Sequence, residues 1–235
     1  LTGVSVGLIN SVMIVYMGTQ PIIASLVAMV TGRGVAQLLL DGQIVPISNP
    51  TYLFIGTGYL FGLPFIISLV AAILILLNFF MRKTSASLFI EALGSNAKAG
   101  SFIGLNTSLI KISVYVISGI MAALAGIALS ANIRAVDVNN LGLYLELDAI
   151  LAVVIGGTRL AGGRFSLWGS ALGALIIQTV STTINTQGIA VEAMLMVKAS
   201  VVIVICLLQS DKVKGFLNTL KNKSVIPLKA EEVAR

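Results

Sequence analysis

Between Phe65 and Leu77 the chain reads FIISLVAAILILL, with no charged residue and no alternation of polar and apolar positions. A strand of a transmembrane barrel would alternate with period two, and a helix of a soluble protein would keep a polar face, so this run belongs to a helix in hydrocarbon. Crossing that layer takes about 20 residues, and every backbone polar group must find its partner inside the structure. Composition extends the argument to the whole chain. Of its 235 residues 57% are hydrophobic and 10% charged, more apolar surface than a soluble domain of this size can cover. The sequence therefore predicts an all-α fold, a polytopic transmembrane helical bundle.

Seven apolar segments follow from the pattern, near 1–17, 21–40, 58–81, 111–131, 143–158, 165–186 and 191–209. They make a transmembrane domain over 1–209, with a basic cytoplasmic tail at 210–235. The chain opens on Leu1 and runs straight into LTGVSVGLINSVMIVYMG without the features of a signal peptide, so it is expected to lack N-terminal spans. Lys and Arg in short connections set the orientation. Arg82, Lys83, Lys98 and Lys111 surround a loop at 82–110, Arg159 and Arg164 bracket a glycine-rich turn, and Lys212, Lys214, Lys221 and Lys223 follow the last segment. These three regions are assigned to the cytoplasm, and 41–57, 132–142 and 187–190, with Arg134 alone, to the outside. The parity of crossings then requires 143–158 to cross as well. That segment is short and carries Glu146 and Asp148, so a half-helix continued by irregular backbone is expected there.

Small residues mark close helix packing, since burial alone does not drive helices together in lipid. Ser118, Ala122, Gly126 and Ser130 recur every fourth residue, as do Gly169 and Gly173. Such stripes serve packing within one chain or a seam between subunits.

The formal charge of +6 does not point to nucleic acid, because six of the fifteen Lys and Arg fall in residues 212–235, beyond the last apolar segment. No histidine is present, and the single Cys206 lies inside an apolar run, so histidine-based triads, zinc sites and thiol catalysis are not expected. GGTRLAGGR at Gly156–Arg164 lacks the phosphate-loop pattern and is read as a tight inter-helix turn. The chain is expected to be no enzyme.

What remains is a polar island, Glu91 to Asn106 (EALGSNAKAGSFIGLN), between apolar segments. It reads as a short helix with a possible Ser87 cap, interrupted by Gly94 and Asn96, with Leu88, Ile90 and Leu93 as an apolar edge. Such a helix either presents itself to a soluble partner or lies on the lipid surface.

ALGSNAKAGSFIGLN, followed by VYVISGIMAALAGIALSANI and ELDAILAVVIGGTRLAGGRFSLWGSALGALI, resembles the permease subunits of bacterial ABC importers for simple sugars, the ribose, galactose and galactofuranose group. The blocks follow in family order from about Gly3 to Gln209, and VKASVVIVICLLQS resembles the galactofuranose-type members. The resemblance implies two permease chains forming a pathway, a cytoplasmic ABC ATPase subunit that binds ATP and Mg, and an extracytoplasmic sugar-binding protein, with no cofactor on this chain and a place in the cell inner membrane. It also implies that the island is the ATPase-docking element. Glu91, Ala92, Leu93, Gly94 and Ser95 would form its first part, and Asn96, Ala97, Ala99, Gly100 and Gly104 its second. Lys98 and Gly100 depart from the N-x-x-A-A pattern of many relatives, a difference that bears on the fit to a particular ATPase.

Polar residues inside the membrane mark pathways or hydrogen-bonded glue between helices. Gln178, Thr182 and Asn185 fall at i, i+4 and i+7 on one face of the sixth segment. Lys198 lies inside the last segment; it would pair with Glu146 or Asp148, or else snorkel to the outer interface. A secondary transporter without an ATPase would need coupling carboxylates near the midplane, and Glu146 and Asp148 lie off-centre.

Overall fold

The computed structural model describes residues 1–60, 62–102, 104–159 and 162–187, with Met196, Ala199 and Ser200; for Lys98 the backbone alone is described. The predicted segment 191–209, apart from those three residues, and the tail at 210–235 lie outside the described residues. The helices are α1 (Thr2–Val15), α2 (Pro21–Leu40), α3 (Pro50–Thr57), α4 (Phe65–Lys83), α5 (Ala86–Ser95), α6 (Ala97–Phe102), α7 (Thr107–Ile133), α8 (Leu145–Ile155) and α9 (Leu167–Thr186). Among the described residues four two-residue strands, β1 (Val45–Pro46), β2 (Tyr59–Leu60), β3 (Leu63–Pro64) and β4 (Ala135–Val136), pair as β1 with β4 and β2 with β3, both antiparallel.

Among the described residues α2, α4, α7 and α9 are long and apolar enough to cross a membrane. Helix α4 buries none of its residues, and Ile67, Ile75, Leu76 and Phe79 are each more than half exposed. An apolar surface of that extent on every side of a helix is stable in lipid and not in water. The chain forms two compact units, one of residues 1–146 and 159–167 and the other of 147–158 with 168 onward.

In the first unit α1 packs along α7 with the two backbones in contact. A Cβ added at Gly7 would lie 2.7 Å from the Tyr115 carbonyl oxygen and 2.9 Å from Val116 Cα, and one at Gly3 would lie 2.7 Å from Ala123 Cβ. Gly119 meets the Gly3 carbonyl from the other side. The contact ridge of α7 is thus Tyr115–Val116, Gly119 and Ala123. The stripe of Ser118, Ala122 and Gly126 lies on another, exposed face of α7, where a Cβ on Gly126 would meet no described residue of this chain, so it does not serve the α1 contact. Spacing alone finds a row of small residues, but the facing helix decides which row is used. Ser130, the last member of that stripe, is buried for another reason. Its hydroxyl lies 2.9 Å from the Gly126 carbonyl and 2.7 Å from the Tyr52 hydroxyl. When Ser130 donates to the carbonyl, Tyr52 donates to Ser130.

Helix α3, which carries Tyr52, lies within the stretch read as an outer connection. Its signal is Asn49-Pro50, a capping residue whose Oδ1 accepts from the Thr51 amide at 3.0 Å, followed by proline in the first turn. Gly56 abuts the Ala131 backbone, and Phe54 tilts against Phe65 at a centroid distance of 5.6 Å. The apolar segment expected from 58 begins as a helix only at Phe65, because Tyr59–Leu60 and Leu63–Pro64 pair as the β2–β3 hairpin. Gly62 at φ +80 turns that hairpin, and Pro64 immediately precedes α4.

The stretches at 41–57 and 132–142 meet: Val45 pairs with Val136, Pro46 with Ala135, and the Gln37 amide donates to Asn139 Oδ1 at 3.0 Å. Asp137 beside them holds the Asn140 side chain at 2.7 Å, and that bond keeps its carboxyl below the ordinary aspartate range. In the second unit α8 spans eleven residues, roughly half the hydrocarbon thickness at about 1.5 Å per residue. Close packing at Gly173 is as expected from the sequence: a Cβ there would run into the Ala152 carbonyl, and Gly156 lies against the Gly169 backbone.

Gly119→Leu should cost at least about 1–3 kcal/mol by overpacking and sharply reduce monodisperse protein on size exclusion in detergent. Gly126→Leu, with nothing within 4 Å, should leave the yield unchanged; equal losses would place the seam elsewhere. Tyr52→Phe should lower thermal stability by about 0.5–1 kcal/mol, the usual range for one hydrogen bond between helices in a membrane protein.

Candidate functional site

The polar island is two helices set at an angle by one residue. Helix α5 runs through Gly94 to Ser95, so Gly94 does not interrupt it; the break falls at Asn96, with φ −157° and ψ 100°. Asn96 then turns its Oδ1 to the Ala99 amide at 3.1 Å, satisfying one of the free donors at the start of α6. Ser85, not Ser87, stands at the N-cap position of α5, and it makes no side-chain capping bond there. Gly104, at φ +81°, ends the island, and Asn106 begins α7 by accepting from the Leu109 amide.

Helix α5 lies against α7 through Ile90 and Leu93, which line a cleft of about 350 Å³ with Ile110, Tyr115 and Ser118. Gly100 of α6 is buried, and a Cβ on it would lie 3.3 Å from Leu93 Cδ1, so α6 folds back onto α5. Leu88 was read with Ile90 and Leu93 as one apolar edge, but it is 69% exposed and shares the outer side with Phe89 and Ala92. In helical projection Leu88 lies about 200° from Ile90, which puts it on the opposite face. Phe102 at the end of α6 is 89% exposed. Glu91 is half-buried, with its backbone carbonyl accepting from Ser95 Oγ at 3.0 Å; Ala97 and Ala99 are exposed.

The glycine turn that follows Arg159 comes to this site. Gly162 and Gly163 lie against Gly94 and Ser95, so the two basic loops occupy the same end of the first unit. A common side for both loops requires this.

On α9, Gln178, Thr182 and Asn185 are all exposed, while Gly173, Ile177, Ser181 and Ile184 form its buried face. The three polar side chains make no hydrogen bond among the described residues. The other hydroxyls of the helix turn inward, with Thr179 donating to Leu175, Ser181 to Ile177 and Thr183 to Thr179. Glu146 is exposed and Asp148 half-buried. Lys198, their expected partner, lies outside the described residues. One polar residue escaped the sequence reading: Asn10, within LINSVM, donates to Ser25 Oγ at 3.3 Å between α1 and α2 while its buried Oδ1 has no partner among the described residues. An amide inside an apolar segment was the available signal. No cluster of side chains able to hold a metal occurs among the described residues.

Residues 1–207 match the family model described as branched-chain amino acid transport system / permease component. The chain belongs to this permease family. It is 45% identical over 222 residues to the galactofuranose transporter permease protein of Escherichia coli, an alignment covering 94% of this chain and 65% of the relative. It is 39% identical over 236 residues to the fructose import permease protein of Bifidobacterium longum, covering 99% and 66%. A ribose import permease protein of Haemophilus influenzae is 34% identical over 208 residues, covering 87% and 64%. The chain thus spans slightly less than two thirds of the length of these curated relatives. No solved structure is a significant match.

Asn96→Ala should free the first turn of α6, raising amide exchange of residues 97–99 by about fivefold for about 1 kcal/mol of lost capping. Unchanged exchange would mean that the cap does not hold the bend.

Proposed function

We propose that the chain is the permease subunit of an ATP-driven importer of simple sugars, seated as a multi-pass protein in the cell inner membrane. The observation that carries this reading is the island itself: α5 and α6, held on α7, turn Leu88, Phe89 and Phe102 outward beside the basic loops, in a chain whose relatives are named sugar permeases. Large apolar side chains exposed together mark a surface that another body covers. On this reading that body is an ABC ATPase on the cytoplasmic side, docking on Glu91–Gly104, and ATP and Mg bind to it rather than to this chain. An extracytoplasmic sugar-binding protein delivers the substrate, and a second permease chain completes the pathway. The permease contributes no bond chemistry.

Closure of the ATPases on nucleotide would displace both docking elements and shift the pathway between outward and inward access. The energy comes from the differential affinity of the ATPases for ATP in the two states. Gln178, Thr182 and Asn185 then line the sugar route. Their exposure and free hydrogen-bonding groups support that role over glue within the described helices, since hydroxyls and amides are the groups that recognise a sugar.

Glu91→Lys or Gly94→Leu should lower sugar-stimulated ATP hydrolysis by about tenfold, equivalent to about 1.4 kcal/mol of lost docking. If the ATPase still co-purified and was stimulated normally, the docking assignment would be wrong. Alanine at Gln178, Thr182 and Asn185 should slow uptake by about five- to tenfold per hydrogen bond removed while the complex still assembles. Loss of assembly in step with uptake would instead assign them to packing.

A further inference from the structure

The turn between α8 and α9 approaches the docking helix backbone to backbone at Gly162 and Gly94. A Cβ at Gly162 would strike the Gly94 carbonyl, one at Gly94 would lie 3.1 Å from the Gly163 amide nitrogen, and one at Gly163 would lie 3.1 Å from Ser95 Oγ. Both turn glycines hold positive φ, +90° and +99°, where side chains are rarely tolerated. The contact therefore requires glycine at 162 and leaves little room for a side chain at 94. Two residues further on, Phe165 joins Phe80, Met81 and Ile90 in the lining of an apolar cavity of about 310 Å³. Ile90 belongs to α5 and Phe80 to α4, so the same short segment grips the docking helix at two points, one near its end and one at its middle. Helix α5 has ten residues, too few to hold its own conformation in isolation.

We infer that Gly162, Gly163 and Phe165 are positioning residues for the docking helix, clamping α5 and joining it to the head of α9. The inference rests on the docking role proposed above. Its mechanical content follows from connectivity. Leu167 begins α9 two residues after Phe165, and α9 carries Gln178, Thr182 and Asn185. A displacement of α5 by the ATPase is therefore met by a segment of the same unit that is covalently continuous with the first residue of α9.

Gly157 provides an internal control. It stands at φ +82° in the same connection with nothing within 4 Å of an added Cβ, so Gly157→Ala carries the backbone strain without the collision. The intact transporter is to be reconstituted with Gly162→Ala, Gly157→Ala or Phe165→Leu. Amide exchange of residues 86–95 is read on the permease, and sugar-stimulated ATP hydrolysis on the complex. Gly162→Ala should speed exchange across α5 by about fivefold relative to Gly157→Ala and lower stimulation with the ATPase still bound. Phe165→Leu should shift both readouts in the same direction, and it carries the comparison if Gly162→Ala does not accumulate. Exchange equal to that of Gly157→Ala in both variants would overturn the clamp. Faster exchange with full stimulation would overturn the positioning role. Co-purification with Glu91→Lys then separates the two readings: an ATPase that ignores Glu91→Lys sinks the docking reading itself, whereas one that is lost leaves docking intact and removes only the clamp.

Discussion

Backbone contact at glycine is the interaction on which the first unit depends. In hydrocarbon, lipid tails solvate leucine as well as another helix does, so association must come from close packing and from whatever polar groups can be paired. Gly3 and Gly7 on α1 facing Tyr115, Val116 and Gly119 on α7 bring two helical backbones to the distance at which dispersion along the whole seam accumulates. Helix α7 thereby becomes the post on which the other elements are hung. Helix α3 hangs on it through Gly56 and the Tyr52–Ser130 pair, and α5 through Ile90 and Leu93. The same device recurs in the second unit at Gly173 and Ala152.

Much of this was legible in the sequence because lipid leaves few solutions. Segment 21–40 coincides with α2, the short 143–158 holds a half-length helix, and the break at Asn96 falls where an amide can cap the next turn. The failures have a common cause. Helix α3 was hidden because its eight residues are apolar without being long enough to span, and the row of α7 that meets α1 was not singled out because periodicity does not say which face meets which neighbour. Leu88 was misplaced for a simpler reason, since it was grouped with Ile90 although two residues of helix put them on opposite faces.

The functional surface was legible as an island and not as a shape. Sequence shows that Glu91–Gly104 is polar and rich in small residues. The structure shows why small residues stand there: Gly100 lets α6 fold onto Leu93, and Gly94 admits a loop from a distant part of the chain. The polar stripe of α9 lies on a face away from the buried side, as its period implied. Its three polar side chains make no hydrogen bond among the described residues.

At the opposite end of the first unit, Asn139 accepts from Gln37 and donates to the Gly42 carbonyl at 3.3 Å, while the Ile47 amide bonds the Arg134 carbonyl at 2.9 Å beside the β1–β4 pair. These bonds stitch the end of α2 to the end of α7. The two helices are thereby yoked at their tips and both meet α1 nearer their other ends, so a tilt of either one pivots about this stitch and carries the other with it. A residue added to either connection would slip the stitch by one position and move the hinge point, altering how far the helices swing without touching a residue inside the membrane.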